Sequence, residues 1–316
     1  MSFKEEIIRL SQIFKALITR KKLALCDKGD FDGIASAALF KRKFKEGVVV
    51  LASPYEVRTN PLIRAVKWYY VADLPCPGRA FMRVDHHETN VPCAELEFHD
   101  PRAPASALLA LKALNLEDDS LAVEIVKLAV ETDTANVSSR EALFLDSAVK
   151  GSDYLGKIYL VEKLSEIGVK ILEDERVKKW IEIHTKKLKF TKEIVNKLKM
   201  RDVMILIFEK DIGLDYRYMC ILLERKGAKM SLIVVPKKFF KVRLYAGARP
   251  ESGFDAAIVA KMLGGGGHRY AAGATFRSFT KKGIDKAIST FKRYLAQERI
   301  KVFIINGNKE IRETHV

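Results

Sequence analysis

The sequence is poor in cysteine and has no long uninterrupted run of apolar residues. Only four cysteines occur among 316 residues, and no two of them form a Cys-x-x-Cys pair. This pattern argues against a zinc finger and is typical of a reduced, cytoplasmic protein. No stretch approaches about 18 uncharged apolar residues, so no membrane span is predicted. The N-terminus carries acids early and lacks an apolar segment, so it does not resemble a signal peptide.

Negative charge is scarce relative to positive charge. The chain has 56 Lys and Arg against 40 Asp and Glu, a formal net charge of +16. Such an excess suggests a polyanionic partner, because phosphate backbones attract cations at long range. A Lys- and Glu-rich surface suited to high temperature is the alternative, but it would not alone explain so unequal a sum.

Hydrophobic periodicity predicts a globular α/β domain over 1–165. An amphipathic helix is expected over 3–20, and short apolar strands that alternate with helices follow it. This alternation is typical of a mostly parallel sheet. The strands are predicted at 22–26, 48–51, 68–72 and 80–84, and the helices at 34–44, 104–115, 119–131 and 139–149.

A helical connector over 166–201 and a second, smaller α/β domain over 202–316 are predicted next. Residues 170–201 hold 11 Lys and Arg and 5 Asp and Glu, a net charge of +6. We expect the active site in the cleft between the two domains. Residues 301–305 are either a last strand or a segment that docks a partner. Further strands are predicted at 203–208, 218–223, 231–235 and 242–246, and helices near 254–263 and 282–296.

Three consecutive polar residues, Asp85, His86 and His87, follow a predicted strand. Two adjacent imidazoles beside a carboxylate are costly to bury unless they are paired or bound to a metal. Because neighbouring side chains point in different directions, one histidine can bind a metal while the other faces a substrate. A solvated loop is the alternative interpretation of these three residues taken alone. The other acids of the chain favour the catalytic interpretation.

Acidic residues also follow two other predicted strands. Asp30 and Asp32, with Asp27 nearby, lie between the first strand and its helix, where ligands bind in open α/β sheets. Gly33 lets the backbone come close to a ligand there. A helix N-cap would need only one of these acids. Asp73 ends the third strand in the same way.

Asp133 ends a helical run, and it could alone be an ordinary helix cap. Together with the other acids and the histidine pair, it favours a metal site. Hard oxygen ligands with one or two imidazoles suit Mn²⁺ or Mg²⁺ better than zinc, which prefers thiolates and more imidazole. Two such ions about 3.5–4 Å apart would form a phosphoester-cleaving centre.

Four consecutive glycines occupy 264–267 and precede His268 and Arg269. Consecutive glycines expose backbone N–H groups and allow positive φ, so they can form an anion-binding nest. The two basic residues would add donors to phosphate oxygens. A flexible linker is the alternative, but the small residues that follow argue against it. The predicted phosphate-binding residues are Gly265, Gly266, Gly267, His268 and Arg269.

Polar and apolar side chains alternate over 239–246, so one strand face would be aromatic and basic while the other enters the core. The first face comprises Phe239, Lys241, Arg243 and Tyr245, and the second Val242, Leu244 and Ala246. An aromatic and basic face can stack bases and neutralise phosphates of single strands. A solvated edge strand is the alternative. Arg249, just after this strand, could reach a phosphate near the glycine run.

These motifs resemble those of the DHH phosphoesterase superfamily with its DHH-associated C-terminal domain. The N-terminal motifs are, in order, Asp30-x-Asp32-Gly33, Asp73, Asp85-His86-His87 and Asp133. The Gly-Gly-Gly-His-x-x-Ala-Ala-Gly stretch at 265–273 is similar to the signature of the second domain. The resemblance covers nearly the whole chain and is greatest to the nanoRNase and RecJ-like exonuclease branch, with an archaeal member expected.

The resemblance implies two manganese ions, for which Mg²⁺ or Co²⁺ could substitute. The implied ligands are Asp30, Asp32, Asp73, His86 and Asp133. It further implies that Asp73 bridges the ions, that Asp85 orients a histidine and that His87 faces the scissile phosphate. Many relatives have a histidine four residues before the first motif aspartate, where this chain has Cys26. Asp27 or a water would then complete the shell of that ion.

The resemblance and the residues together predict a manganese-dependent phosphodiesterase that releases nucleoside 5′-monophosphates from the 3′ end of short single-stranded DNA or RNA. Arg249, His268 and the amides at 265–267 would hold the terminal nucleotide. Another enzymatic interpretation is a 3′-phosphoadenosine 5′-phosphate phosphatase or a linear or cyclic dinucleotide phosphodiesterase. A non-catalytic nucleic-acid-binding subunit is the alternative outside the enzyme class. The sequence leaves open whether the chain forms a homo-oligomer and whether it has a helicase or DNA-repair partner.

Overall fold

A computed structural model describes residues 3–134 and 136–316 of the chain, and Met1, Ser2 and Ala135 lie outside them. The chain divides into two compact units, Met1–Thr185 (unit 1) and Lys186–Val316 (unit 2). Among the described residues, no helix is both long and apolar enough to cross a membrane.

Unit 1 is built on a five-stranded sheet in which all neighbouring strands are parallel. Its strands are β1 (Leu23–Asp27), β2 (Val48–Ala52), β3 (Lys67–Ala72), β4 (Arg79–Asp85) and β5 (Ala94–His99), in the order β2-β1-β3-β4-β5. This confirms the predicted parallel sheet. The sequence pattern missed β5, because none of its residues is fully buried and two glutamates interrupt it.

The helices of unit 1 lie between and after these strands. They are α1 (Phe3–Ile18), α2 (Phe31–Lys43), α3 (Pro54–Thr59), α4 (Pro61–Ala65), α5 (Ser106–Ala113), α6 (Ser120–Asp133), α7 (Arg140–Gly151) and α8 (Tyr154–Ile167), with a 3₁₀-helix at Gly168–Glu173. A ninth helix, α9 (Glu175–Asn196), begins in unit 1 and ends in unit 2.

Helix α2 is the central helix of the unit 1 core. Ten consecutive residues, from Phe31 to Phe40, are buried, because α2 packs against β1 and also against α5, α6 and α8. A helix that is covered on all sides is apolar all round, which explains its weak amphipathic pattern. This packing fixes the N-terminus of α2, and therefore Asp30, at the carboxyl end of β1.

A buried charge network attaches α1 to the sheet. The guanidinium of Arg9 is fully buried, donates to the carbonyl of Leu51 at 2.8 Å and pairs with Glu56 at 3.0 Å. Lys28, which follows Asp27, pairs with Glu56 at 2.9 Å. Burial alone would raise the pKa of Glu56, but the two cations lower it to about 2. The network therefore holds the chain next to the carboxyl end of β1.

We expect the stability of the protein to depend on the ionisation of Glu56. Its pKa falls from an ordinary 4.5 to about 2 on folding, so the charged form contributes about 3 kcal/mol at neutral pH. Because the folded pKa is depressed, this contribution is present above about pH 4.5 and is lost as the pH falls toward 2. Glu56→Gln should lower the free energy of unfolding at pH 7 far more than at pH 3. Urea unfolding at both pH values measures this difference, and an equal loss at both would contradict the expectation.

The prediction of reduced cysteines is wrong for one pair. A disulfide joins Cys76 to Cys93, 17 positions apart, whereas Cys26 and Cys220 are free and buried. Cys76 lies shortly before β4, and Cys93 directly precedes β5. Neighbouring parallel strands begin at the same edge of a sheet, which brings the two residues together. The pairing could not be predicted from a sequence pattern in which β5 is not recognised.

Unit 2 contains a seven-stranded mixed sheet. Its strands are β6 (Val203–Phe208), β7 (Met230–Lys237), β8 (Lys241–Ala248), β9 (Gly266–His268), β10 (Ala271–Arg277), β11 (Lys301–Ile305) and β12 (Ile311–His315), in the order β12-β11-β6-β7-β8-β10-β9. Its helices are α10 (Tyr216–Arg225), α11 (Ala256–Met262) and α12 (Thr280–Leu295). Residues 301–305 form β11, which lies inside the sheet between β12 and β6.

The strand predicted at 218–223 is wrong, because these residues belong to α10. Buried side chains recur there at the spacing i, i+3, i+4 and i+7, which is typical of a helix. They are Tyr216, Met219, Cys220 and Leu223. Asp215 caps the helix by accepting the N–H of Tyr218 at 2.9 Å. The six-residue window was too short to distinguish a strand from a buried helix turn.

Candidate metal centre

Acidic side chains collect at the carboxyl edge of the unit 1 sheet. β1 ends at Asp27, and Asp30 caps α2 by accepting the N–H of Gly33 at 3.4 Å. Asp73 directly follows β3, and β4 ends at Asp85. Since β1, β3 and β4 are neighbouring parallel strands, these ends lie side by side.

Asp73 is common to three sets of side chains in unit 1 that could hold a metal ion, and within each set the donor atoms lie within 4.8 Å of one another. The sets are Asp27, Asp30 and Asp73; Asp32, Asp73 and His86; and Asp73, Asp85 and His87. The backbone φ of Asp73 is +57°, a left-handed conformation that is uncommon outside glycine. Such strain at a buried polar residue is a feature of functional sites.

The ring of His86 is oriented by a backbone carbonyl. Its Nδ1 lies 3.0 Å from the carbonyl oxygen of Ala103 and must donate to it, because that oxygen can only accept. Burial and then the neighbouring His87 lower the pKa of His86, which favours the neutral ring. Nε2 then carries the lone pair and faces carboxylate oxygens, with Asp133 at 3.3 Å and Asp73 at 3.8 Å. This is the geometry of an imidazole that can bind a cation.

Asp85 holds His87 in place and is itself held by neighbouring donors. Its Oδ1 lies 3.0 Å from Nδ1 of His87, and its Oδ2 accepts from Arg83 at 2.9 Å and from Asn90 at 2.7 Å. Burial would raise the pKa of Asp85, but His87 and Arg83 together lower it. Burial would lower the pKa of His87, but the Asp85 partner outweighs it and raises that pKa to about 9. The pair therefore brings a positively charged imidazole to the cluster.

The acidic cluster has too few protein cations beside it to keep all of its carboxylates ionised. Burial, and then nearby carboxylates, raise the pKa values of Asp73 and Asp32 well above their usual range. Burial and then Asp30 raise the pKa of Asp27 to about 7. The Oδ1 atom of Asp27 is buried and has no hydrogen-bond partner among the described residues. Carboxylates with one imidazole are suitable ligands for Mn²⁺ or Mg²⁺, so these residues fit divalent cations.

The glycine run of unit 2 is ordered, and two of its amides are already used. The N–H groups of Gly264 and Gly265 donate to carbonyls in the last turn of α11, at 2.9 and 2.8 Å, and so cap that helix. Residues 266–268 form β9, antiparallel to β10, which excludes a flexible linker. Neither of the two amides is available to a phosphate. His268, whose ring stacks on Tyr270, and the exposed Arg269 supply side-chain donors instead.

The strand face predicted over 239–246 differs in part from the structure. β8 lies between β7 and β10, so it is not an edge strand, and Phe239 lies in the turn that precedes it. Val242, Leu244 and Ala246 are buried, whereas Arg243 is exposed and Lys241 is half-buried. Tyr245 packs on Tyr216 of α10, with ring centroids 5.4 Å apart, and is half-buried. Arg249 is exposed directly after β8.

Comparison with known protein families matches residues 216–297 to the DHHA1 domain. These residues lie within unit 2. No curated protein matches the sequence.

Solved structures match across both units. The pGpG-specific phosphodiesterase PggH from Vibrio cholerae aligns with a TM-score of 0.57 at 18% identity, over 86% of this chain and 99% of that chain. A DHH domain from a member of a family of ribosomal proteins aligns with a TM-score of 0.56 at 12% identity, over 94% of this chain and 93% of that chain. RecJ from Thermus thermophilus with Mn²⁺ aligns with a TM-score of 0.53 at 14% identity, over 94% of this chain and 55% of that chain. The chain has the DHH-family fold and carries a DHHA1 domain. This confirms the resemblance at the level of the second-domain signature and of the fold.

Cys26 stands at the position where the motif resemblance implies a histidine, and it is a poor metal ligand. Its side chain is fully buried, and burial followed by Asp73 and Asp27 raises the pKa of the thiol well above its usual range. Because a cysteine binds metals as the thiolate, the protonated thiol of Cys26 is a weak ligand for a metal ion. Asp27, the next residue, shares a ligand set with Asp30 and Asp73 and supplies an oxygen there instead.

The N-terminus of α5 belongs to the candidate metal centre, although no motif marks it in the sequence. Asp32 accepts the N–H groups of Ser106 and Ala107, each at 2.8 Å, and so caps α5 from a distant part of the chain. The hydroxyl of Ser106 donates to Asp73 at 3.0 Å. These contacts join residues 74, 75 and 33 positions apart. A serine near the start of a predicted helix was the only local signal.

Lys157 of α8 was also missed by the sequence patterns. Its ammonium group donates to the carbonyl oxygen of Lys28 at 2.5 Å. Burial lowers the pKa of Lys157 to about 8, and the carboxylates of Asp27 and Asp30 oppose that shift. Lys157 therefore fixes the backbone between the two aspartates and supports them with positive charge.

We expect Gly33→Ala to disturb this site without unfolding the chain. A Cβ at Gly33 would lie 2.5 Å from the carbonyl oxygen of Asp27, so the turn that carries Asp27 and Asp30 must shift. Displacement of metal-supporting groups typically costs about 10–100-fold in metal affinity or activity. Titration of the chain with Mn²⁺ should therefore give a dissociation constant about 10–100-fold higher than that of the wild type. Ala35→Gly, in the same helix, is the matched control and should leave this dissociation constant unchanged.

Proposed function

We propose that this chain is a divalent-metal-dependent phosphodiesterase that shortens single-stranded oligonucleotides, DNA or RNA, from the 3′ end. The products are nucleoside 5′-monophosphates, and Mn²⁺ is the proposed ion, with Mg²⁺ or Co²⁺ as substitutes. The observation that carries the proposal is the pair of ligand sets that share Asp73 at the carboxyl edge of the sheet. Two cations sharing one carboxylate are typical of phosphoester hydrolysis. PggH is described as a phosphodiesterase, and a further RecJ structure, which aligns with a TM-score of 0.50 at 13% identity, is described as an exonuclease.

Each ion is assigned to one ligand set. One set comprises Asp27, Asp30 and Asp73, and the other comprises Asp32, Asp73 and His86 with Asp133. When bound, two divalent cations lower the pKa of water and neutralise the scissile phosphate. Asp32 is held by the α5 amides and His86 by Ala103, so both ligands are oriented before a cation arrives.

His87 is assigned to the scissile phosphate. Its hydrogen bond to Asp85 fixes the ring and stabilises the imidazolium. A cationic donor near the phosphoryl group stabilises the negative charge that develops on its oxygens during attack. Arg83 and Asn90 hold Asp85 and therefore position His87 without contacting the substrate.

Unit 2 is assigned to substrate binding, and unit 1 to catalysis. The exposed Arg249 and Arg269, together with His268, are the proposed contacts for the terminal nucleotide. Lys241 and Arg243 on β8 are proposed to neutralise phosphates further along the strand. The net charge of +16 supports a polyanionic substrate.

A second candidate function is hydrolysis of a linear dinucleotide. The fold likeness to PggH supports it, since that enzyme is described as a phosphodiesterase specific for the dinucleotide pGpG. The same metal centre would serve. The two functions differ in the length of substrate that unit 2 accepts.

Product analysis on end-labelled DNA and RNA ladders with Mn²⁺ tests the proposed function. The expected result is stepwise shortening from the 3′ end with release of 5′-monophosphates, and no reaction in strong chelator. A rate that does not rise beyond two nucleotides would favour the dinucleotide function. Absence of hydrolysis with Mn²⁺, Mg²⁺ and Co²⁺ on every length would overturn both.

A further inference from the structure

Three phenylalanines are exposed together at one end of the unit 2 sheet. Phe239 and Phe240 lie in the turn 238–240 between β7 and β8 and are 62% and 67% exposed, and Phe279, just before α12, is 65% exposed. The rings of Phe240 and Phe279 are 5.2 Å apart, and the N–H of Ser278 donates to the carbonyl of Phe240 at 2.8 Å. We call Phe239, Phe240 and Phe279 the aromatic tip.

The backbone of this turn does not suit phenylalanine. Phe239 and Phe240 have φ angles of +60° and +52°, in the left-handed region. Asparagine and glycine are the residues that favour such a hairpin turn, and a bulky aromatic residue there is unfavourable. Two consecutive aromatic residues, strained and exposed at once, stabilise neither the turn nor the core. Such strain points to a function for the side chains.

Cations surround the aromatic tip. Lys237, Lys241 and Arg277 are in register across β7, β8 and β10, so their side chains form a row at this end of the sheet. Residues 237–241 contain three lysines and no acid, and residues 277–286 contain four cations and one acid. Lys237 pairs with Asp211 at 2.8 Å, which lowers the net charge of the row but leaves it positive. Aromatic rings among cations are the composition that binds single-stranded nucleic acid.

We propose that the aromatic tip is a second contact site for the single strand, at which bases stack on phenylalanine rings while lysines contact phosphates. This inference rests on the proposed function and names its substrate class as oligonucleotides longer than a dinucleotide. The tip lies at the Arg277 end of β10, whereas His268 pairs with Ala271 at the other end. Six residue intervals separate these ends, about 20 Å. A strand stacked at the duplex rise of about 3.4 Å per nucleotide spans this distance with roughly six nucleotides, and a more extended strand spans it with fewer.

The test uses Phe239→Asn with Phe240→Gly in the full-length chain. These residues suit the left-handed turn, so the double variant should unfold at the same or a higher temperature than the wild type. Fluorescence anisotropy in chelator measures the affinities for a labelled twelve-nucleotide strand and for a dinucleotide. We expect the ratio of the first affinity to the second to fall by at least tenfold. Phe14→Ser, at a residue of unit 1 that is 67% exposed, is the matched control and should leave the ratio unchanged.

The outcomes separate the aromatic tip from the metal centre. An unchanged affinity ratio in the double variant overturns the inference, whatever the wild-type enzyme hydrolyses. Another outcome is that the wild type binds the long strand through the tip but hydrolyses no oligonucleotide with Mn²⁺, Mg²⁺ or Co²⁺. This outcome would overturn the proposed function and would support the tip as a nucleic-acid contact. A third outcome is that the wild type binds anionic phospholipid vesicles and the double variant does not, while both bind the oligonucleotide equally well. This outcome assigns the tip to a membrane surface and overturns the inference.

Discussion

His86→Ala is expected to abolish oligonucleotide hydrolysis in the presence of Mn²⁺. The ring supplies the one imidazole nitrogen in a ligand set otherwise made of carboxylates, and its orientation is fixed by the carbonyl of Ala103. Removing a residue that only supports a metal ligand typically lowers metal affinity or activity by about 10–100-fold. Removing the ligand itself should therefore lower turnover by more than about 100-fold. Turnover at saturating substrate, measured over a range of Mn²⁺ concentrations, gives the size of the loss.

His315→Ala is the control for this variant, since His315 is exposed on β12 in unit 2. It removes an imidazole of equal size and should retain wild-type turnover. The two variants should have the same thermal unfolding midpoint to within a few degrees, which separates a loss of chemistry from a loss of fold. Retention of more than about a hundredth of wild-type turnover by His86→Ala, or wild-type turnover in strong chelator, would show that the metal assignment is wrong.

Arg83→Met is expected to cause the largest loss of stability. The guanidinium is fully buried, and it donates to Asp85 at 2.9 Å, to Glu97 at 2.8 Å and to the carbonyl of Leu74 at 2.9 Å. Methionine fills a similar volume but leaves these acceptors without their cation. Removing one partner of a buried ion pair typically costs about 3–5 kcal/mol. Urea unfolding at neutral pH should show a decrease of that size in the free energy of unfolding.

Arg79→Met, on the same strand, is the matched control. Arg79 is exposed and donates to the carbonyl of Ala65 at 2.8 Å. Its removal should change the free energy of unfolding by less than about 1 kcal/mol, as is usual for surface substitutions. Arg83→Met should also lower turnover, because Asp85 loses a partner that positions His87. Equal stability losses in the two variants would contradict the role assigned to the buried guanidinium.

The local patterns predicted the strands of unit 1 better than the elements of unit 2. β1 and β3 are apolar runs followed by a polar turn, so composition alone locates them. The segment 218–223 was predicted as a strand, yet the buried positions of α10 have helical spacing once Tyr216 is included. A short apolar window fits either structure, and the longer spacing decides between them.

Pairings between distant segments could not be predicted. The disulfide between Cys76 and Cys93 depends on β4 and β5 being neighbours, and β5 has no apolar pattern. The glycine run at 264–267 was correctly identified as ordered rather than a linker. Its first two amides nevertheless cap α11 instead of forming a nest for an anion, because the preceding helix ends there.

The sequence by itself determined that acids and a histidine pair gather at one edge of a parallel sheet. Each of Asp30, Asp73 and Asp85 follows an apolar strand, and parallel strands all end at the same edge. Only the tertiary structure decided how these side chains are used. The tautomer of His86 depends on Ala103, and the orientation of Asp32 depends on the first turn of α5. These partners lie 17 and 74 positions away, and no local pattern specifies a hydrogen bond over such separations.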